Sequence, residues 1–282
     1  MYLEEEIKIL ILLLPWMASL LTRLKQRLDS LAAGSKKALV AYLVAGDPDL
    51  STTLELMHGF VASGVDIIEL GVPFTDPIAE GPIIQAAHDR ALKTDTSLNQ
   101  IFDLVEEFRK NDSDTPVILM GYINTFLANK KALESIHERG TDAVLIVDVP
   151  GESTLENTGI NNSHIASISL ISPTTDLKRI AKICQTSSGF IYYVTLRGVT
   201  GASNLDISEI EKNIAHIREN TTLPVMAGFG IKTPADANKL SKVADGVVIG
   251  SVLVDMIHQQ STQKDYKKIY TYLNEISAVI TQ

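Results

Sequence analysis

Short apolar runs alternate with longer amphipathic stretches along most of this chain. Eight of the runs are rich in Val, Ile and Leu, which is typical of strands buried on both faces of a parallel sheet. They are Ala38–Val44, Val65–Leu70, Val117–Met120, Ala143–Val147, Ala166–Ile171, Phe190–Val194, Pro224–Ala227 and Gly246–Ile249. The stretches between them predict helices at Thr52–Ser63, Ile83–Leu92, Leu98–Lys110, Lys130–Arg139, Glu152–Gly159, Asp176–Gln185, Ile207–Asn220, Pro234–Val243 and Lys264–Ile280. The weakest of these is Glu152–Gly159, because the Asn, Ser, Thr and Gly residues in and around it favour turns.

Strands that alternate with helices predict an α/β fold with a parallel sheet. Eight such units in 282 residues favour a closed (β/α)8 TIM barrel over an open sheet. An extra N-terminal helix is predicted from Met17 to near Gly34. Its apolar residues have helical spacing and are Leu20, Leu21, Leu24, Leu28 and Leu31. We therefore predict one TIM-barrel domain over residues 17–282.

Residues 1–16 form an apolar N-terminal extension. The apolar segment Ile7–Leu21 is short for a membrane span, and Pro15 interrupts it. Acidic residues precede it where a secretory signal carries positive charge, so we predict neither a cleaved signal nor a membrane anchor. Two interpretations stay open: a helix that binds a membrane surface or a partner, or sequence upstream of a start at Met17.

The composition excludes several classes of function. The net charge is -9, whereas a nucleic-acid-binding domain carries clustered positive charge. A single cysteine, Cys184, rules out an internal disulfide and predicts a cytoplasmic protein. The six histidines show no metal-ligand spacing, so we predict no metal site and place them on surfaces or core edges.

Two carboxylates around the second predicted strand are the first candidates for catalysis. Glu69 lies at the end of the strand, where barrel enzymes place their active sites, and Glu80 follows in the loop before Gly81 and Pro82. Carboxylates in such different settings can hold different protonation states, as general acid–base chemistry requires. Glu69 could instead be a structural carboxylate paired with a loop amide or an arginine. Asp47 is more simply explained as a turn residue.

Glycines in the last three loops are candidates for phosphate binding. Backbone N–H groups approach an anion closely at glycine, and barrels often bind phosphate with the loops after strands seven and eight. The candidate residues are Gly201, Gly228, Gly230, Gly250 and Ser251. The alternative is that these glycines only turn the chain.

Seven segments together make the chain resemble the tryptophan synthase alpha subunit family. They occur in the family's order and are AGDPD, DIIELGVPFTDPIAEGPIIQ, TPVILMGYIN, VDVP, GFIYYV with GVTGA, LPVMAGFGI and DGVVIGS. The long second segment is the specific one. The resemblance implies a lyase of tryptophan biosynthesis that cleaves indole-3-glycerol phosphate into indole and glyceraldehyde 3-phosphate.

The resemblance also implies roles for particular residues. Glu69 matches the family's catalytic glutamate, and Glu80 stands at the position of its catalytic aspartate. Tyr192 matches a tyrosine that lines the site, and Thr200 with Gly201 matches a mobile loop that closes over substrate. The implied phosphate site consists of Gly201, Gly230, Gly250 and Ser251. Departures from the family's pattern are Glu80, Leu196 in place of arginine, Thr125 in place of proline and Lys232 in place of serine.

The same resemblance implies a partner and no cofactor in this chain. The partner is the beta subunit, which carries pyridoxal phosphate, in an alpha2beta2 tetramer. The loop around Asp76-Pro77 and the segment after Tyr122-Ile123-Asn124 are expected to face it. An alternative reading is a catalytically weak or inactive alpha subunit that activates its partner. A third is another phosphate-binding barrel, such as an aldolase or isomerase, although no lysine at a predicted strand end is placed for a Schiff base.

Overall fold

Eight parallel strands form a closed barrel in the computed structural model, which describes residues 22–129, 133, 135–160, 164–195, 207–228 and 230–281. The strands are β1 Ala38–Val44, β2 Ile67–Gly71, β3 Val117–Gly121, β4 Ala143–Ile146, β5 Ala166–Ile171, β6 Ile191–Val194, β7 Val225–Gly228 and β8 Gly246–Ile249. Each strand pairs with the next in the sequence, and β8 pairs with β1. The predicted TIM barrel is therefore confirmed.

Helices surround the barrel and alternate with its strands. They are α1 Arg23–Ala33, α2 Leu50–Ala62, α3 Pro82–Lys93, α4 Leu98–Arg109, α5 Ile123–Ala128, α6 Leu177–Thr186, α7 Ile207–Arg218, α8 Pro234–Ser241, α9 Ser251–Gln260 and α10 Lys267–Ile280. The stretch predicted as the helix Glu152–Gly159 forms only a 3-10 turn at Glu156–Thr158. This outcome agrees with its content of turn-forming residues.

Three details of the helix prediction were wrong. The described end of the predicted helix Lys130–Arg139, residues 135–139, forms turns. Helix α5 was missed because it is short and begins immediately after β3, with no side-chain cap to mark its start. Helix α9 was missed because its apolar start follows β8 after a single residue, and a short apolar run does not distinguish strand from helix.

Helix α1 closes the N-terminal end of the barrel. Its leucines at helical spacing, Leu24, Leu28 and Leu31, pack into the same apolar cluster as the inward-facing strand residues. The predicted N-terminal helix is confirmed over its described part, where Thr22 caps the first turn. Residues 1–21, and with them the predicted extension, lie outside the described residues. No helix in the part of the chain described above is long and apolar enough to cross a membrane.

Candidate active site

Strand β2 points Glu69 into the barrel. Glu69 pairs with Tyr42 of β1 and Ile118 of β3, and only 1% of its surface is exposed. Its Oε1 atom is buried and has no hydrogen-bond partner among the described residues. Burial raises the pKa of Glu69 from 4.5 to about 8, and the negative charge of Glu80 adds to the effect. At neutral pH this carboxyl group therefore holds its proton and can act as an acid.

Glu80 reaches the same cavity from the loop between β2 and α3. The Tyr122 hydroxyl donates a hydrogen bond to its Oε2, and the backbone N–H of Ala79 donates to the Tyr122 oxygen at 2.9 Å. Burial raises the pKa of Glu80, while the hydrogen bond from Tyr122 opposes that rise. The carboxylate of Glu80 is thus held by a tyrosine that lies between β3 and α5.

A cavity of about 310 Å³ connects these carboxylates to the glycine loops. Its wall between the two ends is largely aromatic and apolar and includes Met120, Tyr192 and Val248. An apolar wall with a few polar groups at its ends is typical of a small-molecule site. The arrangement suits a ligand with a flat apolar part next to the carboxylates and an anionic part at the other end.

The end of the cavity suited to an anion is built from Gly230, Gly250 and Ser251. Gly230 has a φ of +81°, which favours glycine. Ser251 is the first residue of α9, and no side chain caps that helix start, so its first N–H groups are available to an anion. Lys232 is the one cationic side chain among the described residues that line the cavity. These groups together provide positive potential for a phosphate.

The structure brings together most of the residues that the sequence singled out. Those that line the cavity are Glu69, Glu80, Tyr192, Gly230, Gly250 and Ser251. Thr200 and Gly201 lie outside the described residues, as does Leu196. Sequence reasoning missed Tyr42, which also lines the cavity, and the buried His88 behind it. The two-residue period of a strand is a signal that identifies Tyr42. Every second residue of β1 faces the inside of the barrel, so Tyr42 shares the inward face with Val40 and Val44.

Other polar candidates have structural roles. Arg90 donates to both carboxylate oxygens of Asp47, at 2.8 and 2.7 Å, and so ties α3 to the end of β1. Asp148 accepts a hydrogen bond from the backbone N–H of Ile123 at 2.8 Å and so ties the loop after β4 to the start of α5. Within the described ranges, no three His, Cys, Asp or Glu side chains are grouped to hold a metal ion.

Comparison with known proteins identifies the family. The sequence model of the tryptophan synthase alpha chain matches residues 28–280. The chain belongs to this family. The tryptophan synthase alpha chain of Marinobacter nauticus is 45% identical over 248 residues, which are 87% of this chain and 92% of that protein. The corresponding chain of Thioalkalivibrio sulfidiphilus is 42% identical over 261 residues, or 91% and 98% of the two chains.

A solved structure supports the same assignment. The crystal structure of the alpha subunit from Legionella pneumophila is 35% identical to this chain, with a TM-score of 0.84 over 92% of this chain and 98% of that one. As a member of the family, the chain is a lyase that cleaves indole-3-glycerol phosphate into indole and glyceraldehyde 3-phosphate. Its partner is the beta subunit in an alpha2beta2 complex, and pyridoxal phosphate belongs to that partner.

Proposed function

We propose that the cavity above Glu69 is where the chain cleaves indole-3-glycerol phosphate. The observation that carries this proposal is the distribution of chemistry along one cavity. A protonated carboxyl lies at one end, and the start of α9 lies at the other, with an apolar wall between them; among the described residues, Oε1 of the carboxyl has no hydrogen-bond partner and no side chain caps the helix. The substrate has the same sequence of parts: an indole ring, a hydroxylated carbon chain and a phosphate.

Glu69 moves the proton in this proposal. Its carboxyl group donates a proton to C3 of the indole ring, so that an O–H bond breaks, a C–H bond forms and the ring becomes a cation. The resulting carboxylate then takes the proton of the glycerol hydroxyl next to the ring. The C–C bond breaks, its electron pair returns to the ring to give indole, and the carbon that lost the proton becomes the aldehyde. Glu69 ends with its proton restored, as a general acid–base group must.

Glu80 stabilises the cation in the same scheme. Its carboxylate accepts a hydrogen bond from the indole N–H and gains strength as positive charge develops on the ring. Tyr122 holds the carboxylate in place through the hydrogen bond to Oε2. The two carboxylates therefore have different roles in this scheme: Glu69 transfers protons, and Glu80 accepts the hydrogen bond from the ring N–H.

The other end of the cavity binds the phosphate. Gly230, Gly250 and Ser251 offer backbone N–H groups, and Lys232 adds a positive charge. From the family resemblance we assign Thr200 and Gly201 to a loop that closes over the bound substrate. Closure excludes water and strengthens the interactions of both carboxylates.

Release of indole from indole-3-glycerol phosphate tests this proposal. The purified chain is assayed alone and with the beta subunit, and we expect release in both cases, faster in the complex. The Tyr193→Phe variant is a matched control that should release indole like the parent, because the buried tyrosine hydroxyl that it removes bonds Asn213 outside the cavity. Lack of release in both conditions, with beta-subunit activity still stimulated, would instead identify a partner-activating subunit. Turnover of a sugar phosphate without an indole ring would favour an aldolase or isomerase.

We also propose that the beta subunit covers the face formed by the loop 74–80 and α5. Two apolar side chains on this face are exposed: Ile78 by 83% and Leu127 by 41%. Tyr122, the residue before α5, connects the loop to this helix. Its ring stacks on Phe74, and its hydroxyl oxygen accepts a hydrogen bond from the backbone N–H of Ala79. Exposed apolar groups around a site mouth are typical of a protein interface.

Introduction of a negative charge on this apolar face is the test. The Ile78→Asp variant should lose binding to the beta subunit in analytical ultracentrifugation while it keeps its own fold. Leu177→Asp is the matched control, because Leu177 is 58% exposed at the start of α6, outside this face. Equal binding by both variants and the parent would contradict the proposal.

We further propose that the chain works in the cytoplasm. Its single cysteine, Cys184, is buried, and burial raises the pKa of the thiol, so the thiol stays protonated and unreactive. A chain without disulfides fits a reducing compartment. Fractionation of cells with an antibody against the chain would test this, and recovery outside the cytoplasmic fraction would contradict it.

A further inference from the structure

Tyr42 brings a hydroxyl group into the cavity that the two carboxylates line. It pairs side by side with Glu69 on the neighbouring strand, and both side chains line the cavity. A Cβ atom on Gly71 would lie 2.3 Å from the Tyr42 oxygen. Glycine at position 71 therefore makes room for this hydroxyl on the inward face of β2, one pleat beyond Glu69.

His88 fixes the direction in which Tyr42 donates. The backbone N–H of Phe74 donates to Nδ1 of His88 at 3.0 Å, and Nε2 lies 3.5 Å from the Tyr42 oxygen. Burial lowers the pKa of His88 to about 4, so the ring is neutral at pH 7. A neutral ring that accepts at Nδ1 carries its proton on Nε2. His88 therefore donates to the Tyr42 oxygen, and the phenol proton must go to another acceptor.

The available acceptors are carboxylates. Burial, followed by the charges of Glu80 and then Glu69, raises the pKa of Tyr42, so the phenol keeps its proton. Tyr122 already donates to Glu80, whereas Oε1 of Glu69 has no partner within the described chain. The ionisable side chains that share the cavity with Glu69 are Tyr42, Glu80, Tyr192 and Lys232.

We propose that Tyr42, oriented by His88, is a positioning residue that stabilises the carboxylate which Glu69 becomes when it gives up its proton. The inference rests on the proposed role of Glu69. No proton leaves Tyr42, because it only donates a hydrogen bond while Glu69 is negative. Arg90, two residues after His88 on α3, anchors that helix on Asp47 beyond the end of β1. A hydrogen bond that strengthens after proton transfer lowers the barrier without tightening the binding of substrate.

The Tyr42→Phe variant tests this inference because it removes only the hydroxyl. In the complex with the beta subunit we expect kcat to fall about tenfold with little change in KM, as for loss of a hydrogen bond to a charged group. Tyr193→Phe, which loses a buried hydroxyl outside the cavity, should keep the parent's kcat. A variant within about twofold of the parent in kcat would overturn the inference.

A second readout does not depend on activity. The carboxyl carbon of Glu69, assigned by its loss in Glu69→Gln, is followed by 13C NMR as the pH is raised. We expect the titration to move to higher pH in Tyr42→Phe, because the charged form has lost its hydrogen bond. If the parent releases no indole, the function proposed for Glu69 fails, while this titration still decides the role of Tyr42. An unchanged titration would overturn the inference.

His88→Asn separates orientation from packing. The asparagine oxygen can still accept from Phe74, but the donor to Tyr42 is lost. We expect a smaller fall in kcat than for Tyr42→Phe, and no further loss when both changes are combined, because the two residues act through one hydrogen-bond chain. Additive losses of kcat in the double variant would contradict a shared hydrogen-bond chain, because they would mean that each residue acts separately through packing.

Discussion

Two buried carboxylates at opposite ends of the barrel, Asp142 and Glu69, have opposite surroundings. At the closed N-terminal end, Asp142 accepts from Arg23, Arg109 and the backbone N–H of Val117, each at 2.9 Å. At the open end, Glu69 has an oxygen with no partner in the described structure, and Glu80 is held by Tyr122. The same chemical group is thus paired with two guanidinium groups in Asp142, and in Glu69 it has no cationic partner within the described part of the chain.

The contrast separates stability from chemistry. Burial raises the pKa of Asp142, but Arg23, Arg109 and the N–H of Val117 oppose that rise and join segments that are distant in the sequence. A buried carboxyl without a partner is costly to ionise, and that cost is what raises its pKa into the range useful for proton transfer. Groups required for activity commonly lower the stability of the folded protein in this way.

Replacement of Glu69 by Gln gives the largest expected effect. The amide keeps the shape of the side chain but cannot transfer a proton, so kcat for indole release should fall by about 10³-fold. Circular dichroism should show an unchanged fold. Turnover within a few-fold of the parent would break the assignment of chemistry to this end of the barrel.

The same variant should also change how stability depends on pH. The pKa of Glu69 is raised from 4.5 to about 8, so between these values the folded chain holds a proton that the unfolded chain has lost. Stability therefore falls as pH rises through this window and levels above it. Glu69→Gln should match the parent below the window and exceed it by a few kcal/mol above it. Urea unfolding of both chains across the window measures this difference, and parallel curves would contradict the proposed cost.

Asp142→Asn tests the closed end. Loss of this charge removes the 2.9 Å ion pair of Arg109, which is largely buried, and leaves it the longer ion pair with Asp112 at 3.9 Å. We expect the free energy of unfolding to fall by roughly 3 kcal/mol, with kcat per folded molecule unchanged. Lys110→Gln is a control, since its ion pair with Glu107 is exposed and should contribute little. A loss of kcat without a loss of stability would mean that the two ends are not separate.

Glu80→Asp addresses the residue at which this chain departs from its family. The shorter side chain withdraws the carboxylate from Tyr122, around which the loop is built. A displacement on the ångström scale should lower kcat about tenfold, even though aspartate is the family's usual residue. Tyr122→Phe in the same background should then have little further effect. An increase in kcat would show that the loop accommodates aspartate better than glutamate.

Deletion of residues 1–16 should have the smallest effect. All described residues that form the cavity lie between Tyr42 and Ser251. We therefore expect indole release and solubility to be unchanged in the shortened chain. Loss of either would show that the extension contributes to the fold or to binding.

Sequence patterns were sufficient for the barrel and for much of the site. The apolar runs located all eight strands, because residues buried on both faces must be apolar over their whole length. Strand order placed Glu69, Gly230 and Gly250 at one end, since parallel strands share their direction. Helix α9 was missed because Val252, Leu253 and Val254 are as typical of a strand as of a buried helix.

By itself, the sequence determined the architecture and the two carboxylates on which the proposed chemistry depends. Only the tertiary structure decided that Oε1 of Glu69 has no partner among the described residues while Asp142 has three, because partners come from segments far apart in the chain. Tyr42 and His88 illustrate the same limit, since their contact joins residues 46 positions apart. Protonation depends on burial and on neighbouring charges, and both exist only once the barrel has closed.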